Sequence, residues 1–229
     1  MKTLKESILN RSSHGVKGFD AQRREMIEKW LKEYNIKNYT INDDFTIDVN
    51  GNVFLSREDF KEFPEYIQFG TIRGGFYCSL NHLSSLRGCP REVEGDFNCT
   101  YNELTSLEGA PIIVRGDFYC NNNRLTSLKE APKVVGGEYN CNYNKLTSLE
   151  GVPEVIRGNF YCDHNQLTSL KGAPKEVGGN FMCYNNKLTS LKEAPKKVGK
   201  DFICFDNGSV RFTEADVRKV CDVGIKITV

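Results

Sequence analysis

From residue 74 onward, apolar and polar positions recur along this chain with a period of 21. Six successive blocks read GGFYCSLNHLSSLRGCPREVE, GDFNCTYNELTSLEGAPIIVR, GDFYCNNNRLTSLKEAPKVVG, GEYNCNYNKLTSLEGVPEVIR, GNFYCDHNQLTSLKGAPKEVG and GNFMCYNNKLTSLKEAPKKVG. A seventh, KDFICFDNGSVRFTEADVRKV, starts in phase and then departs. The shared pattern is G-x-[FY]-x-C-x-x-N-x-L-[TS]-S-L-x-x-[AVC]-P-x-x-V-x, with its glycine counted as position 1. The aromatic and the cysteine two residues on alternate with the period of a strand, so both side chains face inward from one short strand. The asparagine at position 8 ends the strand, where an inward amide satisfies backbone groups of its own and neighbouring coils. The leucine pair, such as Leu104 and Leu107, turns back into the core. Proline then fixes a return segment, and glycine permits the turn into the next strand. A lone coil cannot bury this core, so the pattern predicts stacked coils sharing one.

The flanks follow different patterns. Residues 51–73 read as a degenerate first coil: Gly51-Asn52-Val53-Phe54-Leu55 matches G-x-F-x-C, Phe60 and Phe63 take the leucine positions, and Pro64 comes early. Residues 46–49 predict an edge strand. Residues 1–37 belong to no repeat. Thr3, Leu4, Lys5 and Glu6 predict a capping box opening a short helix through Leu9. A second helix is expected from near Asp20, with Met26, Ile27, Trp30, Leu31 and Tyr34 as its apolar stripe. This segment reads as a helical cap on the first coil in preference to a basic docking helix. After the repeats, Thr213 to Asp216 can cap a helix running to about Cys221, and residues 225–229 read as a strand covering the last sheet edge.

The motif resembles the leucine-rich-repeat segment L-x-x-L-x-L-x-x-N-x-L, with aromatic and Cys in place of the strand leucines. The proline-containing return is similar to short bacterial leucine-rich repeats. The near-identical L-T-S-L-x-x-A-P-K-x-V-G-G-x-F-x-C blocks, with the lead-in YTINDDFTIDVNG at residues 39–51, resemble repeat proteins encoded by bacteriophages and prophages. The resemblance covers about residues 38–207. The expected fold is therefore an α+β repeat: a leucine-rich-repeat-like parallel β solenoid over residues 74–207. Around it stand a helical N-terminal cap (1–37), an edge strand and degenerate coil (38–73), and a C-terminal helix-strand cap (208–229).

Composition adds little until it is mapped onto the coils. The 229 residues carry 31 Lys+Arg against 30 Asp+Glu, which gives no global field for nucleic acid or an anionic membrane. That balance splits into about +4 on residues 1–40 and −4 on residues 41–73, which fits a basic cap seated on an acidic first coil. There is no apolar run of the roughly 20 residues that a membrane helix needs and no signal-peptide pattern, so a cytoplasmic protein is expected. Seven of the nine cysteines (Cys78, Cys99, Cys120, Cys141, Cys162, Cys183, Cys204) form the inward column. A straight ladder gives one thiol per coil with parallel vectors, which suits neither disulfides nor a four-ligand zinc site. These cysteines, and Cys89 at the Ala/Val position, read as small buried hydrophobes.

Two local motifs mimic catalytic ones. Cys162-Asp163-His164 gathers nucleophile, acid and base, yet neighbours on a strand face opposite ways. Cys204-Phe205-Asp206 matches the C-x-D signature of bacterial effector ubiquitin ligases, in which it sits in a large helical domain after the repeats. Only 25 residues follow Cys204, so the ligase reading is set aside. No phosphate loop, H-E-x-x-H or C-x-x-C occurs. The expectation is a non-enzyme without cofactor or metal.

Partner information is expected where the coils differ, on the outward strand positions forming the concave face. Position 4 gives Tyr77, Asn98, Tyr119, Asn140, Tyr161 and Met182. Position 2 gives Asp96, Asp117 and Glu138, the turn after the strand adds Tyr101, Tyr143 and His164, and Met182 with Tyr184, Ile203 and Phe205 forms an apolar patch at the C-terminal end. Tyrosine with asparagine makes a good contact surface, and the acids argue for a basic or neutral protein over a phosphate. The competing explanation is that such ladders simply stack along a sheet. The preferred function is a protein-binding solenoid, which the phage resemblance turns into a binder or inhibitor of a host bacterial protein, such as a defence component. The alternative is a protein that sequesters a small ligand or nucleotide signal, which needs a deep pocket. No nucleic-acid or membrane partner is expected, and the oligomeric state is open.

Overall fold

The computed structural model describes residues 4–229, with side chains from residue 20 onward. It is a parallel β solenoid in which every regular coil contributes two short strands. The aromatic-x-Cys segments stack as a nine-stranded parallel sheet, here the first sheet, from Val53–Phe54 through Phe97–Asn98 to Ile227–Thr228. Register is kept coil to coil, with Phe76 opposite Phe97, Phe97 opposite Phe118 and Phe160 opposite Phe181.

The return segment is a strand too, where the sequence predicted only a proline-fixed connection. Positions 19 and 20 pair in a second parallel ladder, as in Glu92–Val93 on Ile113–Val114 on Val134–Val135. This second sheet is interrupted once, between Val134–Val135 and Val155–Ile156, and then continues to Asp222–Val223.

The core lies between the two ladders. Phe76, Phe97, Phe118, Tyr139, Phe160, Phe181 and Phe202 are fully buried in a column, with Phe76 and Phe97 stacked at 5.7 Å. The cysteine column is equally buried, and each thiol from Cys99 to Cys162 donates to a carbonyl of the next coil, Cys99 Sγ to Tyr119 O at 3.4 Å. The asparagines act as the sequence predicted. Asn102 donates through Nδ2 to the carbonyls of Cys78 (3.0 Å) and Cys99 (3.1 Å), and its Oδ1 accepts from Leu83 N at 2.9 Å. One side chain thus ties its own coil to the coil before it.

The N-terminal segment forms one helix, α1 (Leu4–Glu33), not two. Gly15 and Gly18 weaken a helix by about 1 kcal/mol each without breaking it, and no proline precedes Pro64. The expected Thr3 cap lies outside the described residues. At its C-terminus Asn35 takes the left-handed conformation (φ 52°), and Ile36 N donates back to Leu31 O at 2.8 Å, closing the helix in a Schellman motif. Ile27, Trp30 and Leu31 are buried, with Trp30 packed on Phe60, Phe63 and Phe69, whereas Met26 is exposed. Arg24 donates to the carbonyls of Ile41 (3.0 Å) and Asn42 (3.2 Å) and lies 3.8 Å from Asp43, so basic helix meets acidic coil.

The edge is not formed by residues 46–49. Strand β1 (Tyr39–Ile41) lies outside β2 (Ile47–Val49) and pairs with it antiparallel. At the other end α2 (Glu214–Arg218) begins with a capping box between Thr213 and Asp216. No described helix is long and apolar enough to cross a membrane.

Candidate functional site

Each coil presents three outward side chains on the first sheet, at positions 2, 4 and 6, because positions 3 and 5 are consumed by the core. Tyr77, Asp96, Asn98, Asp117, Tyr119, Glu138, Asn140, Tyr161, Met182 and Tyr184 all occupy these positions, half-buried and side by side. Tyr101, Tyr143 and His164 do not sit on the strands. They occupy position 7, the turn that follows, where every residue from Leu80 to Asp206 is left-handed with φ between 49° and 56°. That conformation swings the chain so that the next asparagine points inward, and it leaves Tyr101 and Tyr143 exposed at the sheet's margin.

The acidic column is partly structural. Asp96 Oδ1 accepts from Asp117 N at 2.9 Å, and Asp117 Oδ1 accepts from Glu138 N at 2.6 Å. Asn159 and Asn180 continue the same ladder to Asn180 N (2.9 Å) and Asp201 N (3.1 Å). Glu138 is one methylene longer and meets Asn159 Nδ2 at 2.8 Å instead. The position-2 oxygens of Asp96, Asp117 and Asn159 lie where a Cβ on the following coil's opening residue would go, which explains glycine at 116, 137 and 179.

The tyrosines lean over this column. Tyr119 donates its hydroxyl to Asp117 Oδ2 at 2.8 Å, and burial, with that bond and the charges of Glu138, Asp117 and Asp96, pushes its phenol well above the ordinary range. Tyr77 lies over Gly75, whose missing side chain makes the room. Burial also raises the Glu138 carboxyl, and the charge of Asp117 adds to it, against the lowering bond from Asn159.

Position 6 brings in a residue singled out only for its apparent catalytic motif. Asp163 is 1% exposed and sits 2.9 Å from His164 Nδ1 through Oδ2. With the ring proton on Nδ1, His164 Nε2 accepts from Asn185 Nδ2 at 2.9 Å, and Tyr143 stacks on the imidazole at 4.0 Å. Cys162 is fully buried, donates to Met182 O at 3.3 Å, and has its thiol pKa raised by burial. Cys162 and His164 therefore do not share an open cleft. Among the described residues no three His, Cys, Asp or Glu side chains converge as metal ligands.

Phe54, which the repeat match places at position 4 of the degenerate coil, was not among the expected contact residues. It is 63% exposed and stacks on Tyr77 at 5.1 Å, extending the aromatic row by one coil. At the other end Tyr184 stacks on Phe205 at 4.6 Å. A hollow of about 680 Å³ lies elsewhere, on the turn side between residues 62 and 109. The hollows described around the molecule do not include the tyrosines of the first sheet. No protein-family model matches the chain, and no curated protein matches it.

Proposed function

We propose that this chain is a non-catalytic binding protein whose first-sheet face, rich in tyrosine and asparagine, grips another protein. The observation that supports it best is the division of labour within each coil. Inward columns are nearly invariant, while the three outward positions differ from coil to coil and expose a row running from Phe54 through Tyr119 and Tyr161 to Tyr184. Tyrosine gives large contact area at small entropic cost, and half-buried rings resting on a rigid sheet are already ordered before binding.

The resemblance of the blocks to phage and prophage repeat proteins extends the proposal: the partner is a host bacterial protein bound in the bacterial cytoplasm, with inhibition of a defence component as the biological role. The test is affinity capture from bacterial lysate with the wild-type chain and with Tyr119→Ala combined with Tyr161→Ala. Loss of two central aromatic contacts is expected to lower capture of a specific protein by roughly tenfold or more, with the circular dichroism spectrum unchanged. Equal capture by both chains, or no specific protein with either, defeats the reading.

A further inference from the structure

We infer that the first-sheet face takes a lysine- or arginine-bearing segment of its protein partner, a proposal that rests on the binding role assigned to that face. Over the seven coils from Gly74, positions 2, 4 and 6 hold five carboxylates (Asp96, Asp117, Glu138, Asp163, Asp201) and neither Lys nor Arg, although 31 of the 229 residues are basic.

Elsewhere on residues 74–207, five of the ten acids pair with a Lys or Arg. Glu92 pairs with Arg115 (2.7 Å), Glu103 with Arg124 (2.9 Å), Glu108 with Arg87 (3.1 Å), Glu150 with Lys171 (2.9 Å) and Glu154 with Lys175 (2.7 Å). Each pair joins neighbouring coils, so a cation one coil away is a recurrent partner for a surface carboxylate in this repeat. Among the described residues none of the five first-sheet carboxylates has a Lys or Arg nitrogen within 4.0 Å. The face lacks any Lys or Arg partner, whereas half of the acids around it have one.

A further observation points to a cationic occupant. The aromatic row supplies ring faces alongside, which attract guanidinium and ammonium groups. Burial raises the Glu138 carboxyl and the charge of Asp117 adds a smaller push, both of which an arriving cation opposes.

The probe is fluorescein-labelled nona-arginine, followed by anisotropy at roughly 0.05 M and roughly 0.3 M sodium chloride, with nona-glutamate as the opposite-charge arm. The variant is Asp96→Asn, Asp117→Asn, Glu138→Gln, which keeps the side-chain oxygens that accept from the next coil. Nona-arginine should bind the wild-type chain, more weakly at the higher salt, and at least about tenfold more weakly to the triple variant. A control, Glu92→Gln with Glu154→Gln, should stay within about twofold of wild type. The inference is overturned if nona-arginine does not bind, if the triple variant binds as well as wild type, or if the control loses as much. It also falls if sedimentation shows the wild type dimerising through this face and the triple variant monomeric, because the occupant is then a second copy. If capture of a lysate protein depends on Tyr119 and Tyr161 but survives the triple substitution, the binding role stands and only the charge assignment fails.

Discussion

Tyr139 is the one member of the inward aromatic column that carries a hydroxyl, and that hydroxyl is buried without a hydrogen-bond partner. Its neighbours in the column, Phe118 and Phe160, pack at 5.1 and 5.5 Å and offer no acceptor. A buried polar group left unpaired costs roughly 1–3 kcal/mol. Tyr139→Phe removes the group and keeps the ring, so stability in urea melts should rise by about 1 kcal/mol with the denaturant slope unchanged. A fall in stability would mean that the hydroxyl has a partner, such as a buried water. The buried asparagines of the repeat show the opposite case: Asn102, Asn144 and Asn165, for example, each satisfy backbone groups of two coils. That role was legible from the repeat alone, because an invariant amide at a strand end has few other uses. The left-handed turn just before it was not legible: Leu80, Tyr101, Asn122, Tyr143, His164, Asn185 and Asp206 share the conformation but no chemistry.

Between elements, the position-2 ladder couples each coil to the next through a side chain lying on a glycine. At Gly137 an added Cβ would fall on Asp117 Oδ1, and the next nearest atoms are Asp117 Cγ at 3.2 Å and Gly116 C at 3.3 Å. Gly137→Ala should therefore cost about 1–2 kcal/mol, most of it recovered when Asp117→Gly is made in the same chain. A thermal-melt cycle of the four proteins measures the coupling, and strict additivity would show that the two residues do not compete for space. Gly136 differs, because its Cβ would meet the Arg115 backbone carbonyl, which no side-chain change relieves. The first sheet was readable from sequence because the aromatic and Cys columns repeat at a spacing of two. The second was hidden because each strand is two residues long and its outward member runs Glu92, Ile113, Val134, Val155, Glu176, Lys197, with no common polarity. For the same reason the candidate face was found as columns, but the structural use of its acids was not.

At the scale of the molecule, every regular coil pairs only with the coil before and after it, so stability is a chain of nearest-neighbour terms. The cysteines make this measurable, since all nine are free and buried and the seven of the inward column sit at successive heights along the stack. Burial holds the thiols of Cys99, Cys120, Cys141 and Cys162 well above the ordinary range, and that of Cys221 at about 11, so alkylation at mild pH requires a coil to open. The two ends are not equivalent. The N-terminal coils lie under α1, with Trp30 seated among Phe60, Phe63 and Phe69, whereas the C-terminal layer is held by α2, five residues long, and two short strands. Opening should therefore begin at the C-terminal end, where fewer neighbours are lost. Native-state alkylation read by mass spectrometry should modify Cys221 and Cys204 first and Cys120 and Cys141 at least roughly tenfold more slowly. If all nine thiols react at one rate, the solenoid opens as a single unit and the nearest-neighbour description fails. If Cys78 and Cys89 lead, the α1 cap is the weaker end, and the aromatic seat of Trp30 contributes less than its burial implies.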